Sequence, residues 1–161
     1  MKIALRLGLA AIPLFAAASL LHPCGPVKRQ RSTSRLLSGA RIPSDIAGLF
    51  ERSCANCHSE KTEWPWYSYA PPMSWLIERD VKRAREHMNL SRWDGYTEEQ
   101  QIGLLARIGG ELRTRRMPLP SYLKLHPSAR LSDDEVERIY QWTRSERRRL
   151  KAALVSKPGT D

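Results

Sequence analysis

Apolar residues recur at helical spacing in four stretches of the chain and nowhere in convincing alternation, so the sequence predicts an all-α protein. The first stretch runs from Ser44 to about Cys54: Ser44 offers an N-cap, and Ile46, Leu49 and Phe50 share one face. In the second, from Ser74 to about Asn89, Trp75, Leu76, Val81, Ala84 and Met88 mark an apolar face opposite Glu78, Arg79, Lys82, Arg83 and Arg85. Thr97 with Gln100 is a capping box opening a third helix through Ile102, Leu104, Leu105 and Ile108. Gly109-Gly110 should weaken that helix, leaving a shorter continuation towards Arg115. A second capping box, Ser132 with Glu135, opens a fourth through Val136, Ile139, Tyr140, Trp142 and Thr143 to about Leu150. Between the first and second helices, Pro65, Pro71 and Pro72 interrupt the aromatic run Trp64, Trp66, Tyr67 and Tyr69, which is read as a loop.

The two ends do not share this pattern. Lys2 and Arg6 precede an apolar run over residues 7–15, and Ala16 and Ala18 supply small residues for a signal peptidase. Residues 1–18 are therefore read as an export signal, with an uncleaved anchor reaching Leu21 as the alternative; Pro13 and the short run argue against a full membrane span. Residues 19–42 are read as a basic flexible linker, because residues 25–42 carry Lys28, Arg29, Arg31, Arg35 and Arg41 among few large apolar groups. Residues 43–150 are expected to form the single folded domain, and residues 151–161 a flexible tail. A chain of 161 residues, 41% hydrophobic and 27% charged, suits that one domain.

Charge narrows the partners. Removing Lys2 and Arg6 leaves 25 basic against 17 acidic residues, a net +8, which favours acidic proteins or anionic headgroups. Nucleic acid is a poorer match, because Arg144, Arg147, Arg148, Arg149 and Lys151 cluster at a helix end, where cations complement the helix dipole, and because the chain is read as exported.

The chemistry concentrates in Cys54-Ala55-Asn56-Cys57-His58. Two thiols one helical turn apart can add to two vinyl groups, and the following imidazole can ligate iron, the requirement for a covalently attached c-type haem. A zinc site would need a second ligand pair, whereas His87 and His126 are isolated and no other cysteine pair exists. A thioredoxin-like dithiol would need a βαβ context. Cys24, the third cysteine, follows Pro23 where a lipoprotein signal needs a small residue, and is read as a free or intermolecular thiol. An electron carrier also needs a sixth iron ligand. Met117, in Arg116-Met117-Pro118-Leu119-Pro120, is the leading candidate; His126, His87 and Met73 remain alternatives, and Met88 reads as core filler. Trp64, Trp66, Tyr67 and Trp75 are candidate haem-edge contacts, with plain packing as the other reading. Phe50 and Trp142 are expected to meet where the first and last helices cross.

The motif followed by Ser59, Thr62, Trp64-Pro65-Trp66-Tyr67, Ala70-Pro71, Ser74-Trp75 and Asp80-Val81 resembles the small bacterial haem-binding domain family related to class I cytochromes c. Met117-Pro118-Leu119-Pro120-Ser121-Tyr122, His126-Pro127, residues 129–132 and Trp142 extend the resemblance, which covers about residues 43 to 145. It implies a cytochrome c-like helical domain around one haem c, with Cys54 and Cys57 as thioethers, His58 as proximal ligand and Met117 as distal ligand. The basic extension after Trp142 departs from the family pattern. The expectation is a periplasmic one-electron carrier, not an enzyme, that meets acidic redox partners and a cytochrome c maturation machinery and has a possible N-terminal membrane association. A peroxidase or ligand-sensing haem domain with an open distal position is the alternative.

Overall fold

Helix α1 (Ser44–Ser53) starts directly behind Pro43, whose φ of −61° and ψ of 148° place an extended residue at the N-cap. Ser44 is thus the first helical residue rather than the cap, because proline's ring fixes the backbone one position earlier. In this computed structural model, which describes residues 33–156 together with Pro13, residues 17–19, Leu21, Pro23, Val27 and Arg29, a short helix α2 (Ala55–His58) follows α1. The chain then passes through a 3-10 turn (Trp66–Tyr69) into α3 (Met73–His87), a second 3-10 segment (Leu90–Gly95) and α4 (Glu98–Arg113). Helix α5 (Pro120–Leu125), a 3-10 turn (Pro127–Ala129) and α6 (Asp133–Ser156) complete it. No strand occurs among the described residues, and the fold is all-α. The export leader, except for Pro13, Ala17 and Ala18, and Cys24 lie outside the described residues. Among the described residues no helix is long and apolar enough to cross a membrane.

Helices α4 and α6 pack along one another, and α1 crosses α6. At that crossing Phe50 and Trp142 meet edge to face, with ring centroids 5.4 Å apart, as the sequence leads one to expect. Leu90, Trp93, Leu105 and Ile139 fill the rest of the centre. Both capping boxes form: Thr97 and Gln100 exchange side-chain bonds at the start of α4, and Ser132 and Glu135 do so at the start of α6.

Three expectations need correction. The basic segment before Pro43 is not solvated throughout, since Leu36 and Leu37 are buried in the core and the Leu37 amide donates to Leu90 O at 2.9 Å. Two leucines supply enough apolar area to order a segment that is otherwise basic and polar. At the other end α6 continues to Ser156, six residues beyond Leu150, because Leu150 is buried and Lys151-Ala152-Ala153-Leu154 favours helix until Pro158. Gly109 and Gly110, finally, do not interrupt α4, which runs on to Arg113.

Gly109 is there for proximity: a Cβ at that position would lie 2.9 Å from Cδ2 of Tyr140 and 3.1 Å from Oγ1 of Thr143 on α6. Gly110 faces open space. The two neighbours should therefore respond oppositely to alanine. Gly110→Ala is expected to stabilise the fold by about 0.5–1 kcal/mol through helix propensity. Gly109→Ala gains the same term but must push α6 away, and overpacking of about 1–3 kcal/mol makes it destabilising overall. Thermal melts of both variants check this, and two shifts of the same sign would contradict the packing described.

Candidate functional site

The cysteine motif sits where α1 ends. The Cys54 amide still donates to Phe50 O at 2.9 Å, but φ at Cys54 is −122°, so the chain turns there and restarts as α2. The amides of Cys57 and His58 both donate to Cys54 O, at 3.3 and 3.0 Å, which gathers the two thiols and the imidazole on one turn. Cys54 packs against the core cluster. Burial pushes the Cys54 thiol up to about 12, with the neighbouring Cys57 adding to the shift. Burial likewise raises Cys57 to about 11; Asp80 nearby reinforces this and Arg85 opposes it. Both sulfurs are therefore neutral thiols in the haem-free fold.

His58 is held from behind. Its Nδ1 lies 3.2 Å from the backbone carbonyl of Met88, just past the end of α3. A carbonyl can only accept, so Nδ1 carries the hydrogen and Nε2 keeps its lone pair for a metal. Burial lowers the His58 pKa; the hydrogen bonds to the Met88 and Ala84 backbone oppose that shift, while nearby His87 adds to it. A neutral, oriented imidazole is the form that ligates iron.

Met117 reaches its place through the end of α4. Arg115 takes φ of 56°, in the left-handed region, and the Arg116 and Met117 amides fold back onto Glu111 O at 3.0 and 3.3 Å. This Schellman-type turn normally uses glycine at the left-handed position. Arg115 occupies it while donating to Leu131 O at 2.9 Å and pairing with Asp133, so the turn is tied to the start of α6. Met117 is half-buried, and its thioether makes no hydrogen bond among the described residues. No hydrogen bond or ring contact joins Met117 to the motif.

The alternatives have other occupations. Nε2 of His126 lies 2.9 Å from the Tyr67 hydroxyl, and its ring stacks on Tyr122 at 4.2 Å. Tyr122 in turn accepts from Nδ2 of Asn56, inside the motif, at 2.8 Å. His87 is exposed at the end of α3, Met73 is half-buried at its start, and Met88 packs against the core as expected.

The four candidate aromatics separate. Tyr67 joins His126, and Trp64 lies half-buried under the Arg29 guanidinium, 4.5 Å from the ring centroid. Trp75 donates through Nε1 to Leu21 O at 2.8 Å. Trp66 is 82% exposed, so burial among protein atoms does not account for it. Two open clefts of about 620 and 570 Å³ share Asn56, Glu63 and His126 at their walls. Sequence reasoning missed the Asn56-Tyr122-His126-Tyr67 chain and the Met88 carbonyl. Tyr122 and His126 stand four residues apart, a spacing that could have suggested the stack; a carbonyl has no side-chain signature.

The donor set fits a haem: two neutral thiols beside an imidazole whose Nδ1 is occupied and whose Nε2 is available. Comparison with known proteins agrees. The cytochrome c peroxidase Ccp of Escherichia coli (strain K12) is 28% identical over 142 residues, which cover 81% of this chain but 29% of that protein, so the chain spans less than a third of that relative's length. No solved structure matches the chain. A family model described as a haem-binding domain matches residues 14–145, most of the chain, and the protein thus belongs to the haem-binding domain family.

Proposed function

We propose that this haem-binding domain is an exported mono-haem c-type cytochrome that passes single electrons, with thioethers at Cys54 and Cys57, His58 as proximal ligand and Met117 as distal ligand. The observation that carries this reading is the anchored imidazole: His58 is fixed through Nδ1 to the Met88 carbonyl on the same turn as both thiols. Bound haem supplies an iron that alternates between ferric and ferrous states. The residues around it then have defined tasks. Cys54 and Cys57 hold the group irreversibly, and His58 presents its Nε2 lone pair. The soft thioether of Met117 would be a second ligand to the iron and would favour its ferrous form. Folding half-buries both cysteines, so attachment would fall to a maturation machinery acting before the fold closes. The net charge of +8 after loss of the leader attracts acidic redox partners from a distance. The signal-like leader supports a periplasmic setting for this exchange.

A peroxidase reading has one observation in its favour, the relative named for that activity. Ferric spectra separate the two. The carrier reading requires the weak far-red band of methionine sulfur on haem iron, together with slow cyanide binding. Met117→Ala is expected to abolish that band and to speed cyanide binding by more than about tenfold, as an open position would. A spectrum unchanged in Met117→Ala would remove Met117 as ligand, and rapid cyanide binding by the wild type would favour the peroxidase.

A further inference from the structure

The loop that leaves the motif is polar throughout, with half-buried Glu60 and Lys61 between two buried hydroxyl residues. Ser59 is fully buried, and Thr62 is 4% exposed. The Ser59 hydroxyl donates to Ala55 O at 2.6 Å and accepts from the Lys61 amide at 2.9 Å. The Thr62 hydroxyl donates to Asn56 O at 2.6 Å, so residues 59 and 62 both reach back into the motif. From the other side the Glu60 amide donates to the Ser91 hydroxyl at 3.0 Å, and the Glu60 carboxylate takes Arg92 at 2.6 Å. Buried polar groups of this kind fix a single geometry when every member is satisfied.

One long side chain from α3 closes the arrangement. Arg85 donates from Nε to Ser59 O at 2.8 Å and from Nη2 to Thr62 Oγ1 at 3.0 Å, which spans the loop with two arms of one rigid fork. Arg85 is three residues before Met88, whose carbonyl holds His58, so the same end of α3 grips the imidazole and the chain that follows it. Ser59 lies one residue past His58 and two past Cys57, so the 2.8 Å bond to its carbonyl sets the guanidinium charge beside the motif. Of the other charges, Asp80 near Cys57 is bonded by its neighbour Arg79 at 2.9 Å, while Glu60, bonded by Arg92, acts on Arg85 itself.

We propose that Arg85 is a positioning residue of the haem site: its fork fixes the Ser59–Thr62 loop and thereby the orientation of His58, and its permanent positive charge beside Cys57 favours the reduced haem. This rests on covalent attachment at Cys54 and Cys57. A positive charge held at the edge of a site that gains an electron stabilises the electron-rich form, and one in a half-buried setting is screened less than one at the surface. Arg85→Lys keeps the charge but loses the planar fork, whereas Arg85→Gln loses the charge and keeps hydrogen-bonding capacity.

The experiment is a redox titration of wild type, Arg85→Gln and Arg85→Lys matured together with haem, with helicity and ferric electron paramagnetic resonance recorded on each. A wild type without a haem-stained band on a denaturing gel would overturn the attachment reading itself, a failure visible before any variant is compared. At the wild-type midpoint, Arg85→Gln is expected to shift the reduced-to-oxidised ratio about tenfold towards oxidised, a fall of about 59 mV for one electron. Arg85→Lys is expected to shift the ratio less than about threefold while its low-spin resonance lines move or broaden, since only the grip on the loop has changed. A ratio in Arg85→Gln within about twofold of wild type overturns the charge role, and so does Arg85→Lys falling as far as Arg85→Gln. Should Arg85→Gln lose its helicity, Arg85→Lys decides alone: moved resonance lines with a retained midpoint support the proposal, and lines and midpoint both unchanged overturn it.

Discussion

A chain carrying Cys54→Ser together with Cys57→Ser leaves no haem-stained band on a denaturing gel, although it still folds. Denaturation releases every ligand that geometry alone holds on the iron, the role proposed for His58 and Met117. Only a carbon–sulfur bond, formed when a thiol S–H adds across a vinyl group, survives it, and serine cannot form that bond under the same conditions. Each single variant retains one attachment and a weaker band. Folding is retained because each exchange is small: a hydroxyl in place of a buried thiol costs about 1–3 kcal/mol if it finds no partner. The haem-free forms give an independent reading of the same two sulfurs. Each thiol holds its proton more tightly in the fold than in the unfolded chain, where the ordinary value is 9.0. The stabilisation this represents is complete below about pH 9 and is lost as pH rises through about 11 for Cys57 and about 12 for Cys54. Haem-free wild type is thus expected to melt lower in strong base than near neutrality, with a smaller drop for the double serine variant. A haem-stained band that persists in the double variant would end the thioether reading.

The helices were legible because their signals are local. Ile46, Leu49 and Phe50 repeat with the period of a helix, and Thr97 with Gln100 and Ser132 with Glu135 announce their own capping boxes. The cysteine motif was legible for the same reason, since its chemistry depends on spacing within five residues. What escaped depends on residues far apart in the chain. Gly109 reads as a helix breaker until Tyr140 and Thr143 of α6 are seen against it. Leu36 and Leu37 look like stray apolar residues in a basic segment until the core receives them. The partner of His58 is a backbone carbonyl, and the left-handed residue that turns the chain towards Met117 is an arginine rather than the expected glycine. Trp66 meets Tyr67 edge to face with ring centroids 5.8 Å apart while 82% of its surface stays exposed, a combination that its place in an aromatic run does not reveal.

Trp142→Ala is expected to be the most damaging single substitution outside the motif, at about 4 kcal/mol. Its indole is 7% exposed and packs edge to face on Phe50, and its Nε1 donates to Arg41 O at 2.9 Å. Truncation leaves a cavity the size of a large ring, removes the aromatic pairing and deprives the Arg41 carbonyl of its donor. For a chain of this size each kcal/mol is worth about 2–4 °C, so the melting temperature falls by about 10 °C. The same contact bears on the site, because the Phe50 carbonyl receives the Cys54 amide and so lies at the junction between α1 and the motif. Loosening the α1–α6 crossing therefore lowers the yield of matured protein without removing the haem-stained band from the molecules that do mature. Trp66→Ala is the matching control: with 82% of its surface already in solvent, it is expected to change stability by less than about 0.5 kcal/mol. Melting curves of the two tryptophan variants, run beside the stained gel, separate support of the fold from attachment of the cofactor. A Trp142→Ala protein that melts with the wild type would mean that α1 is held by something other than its crossing with α6.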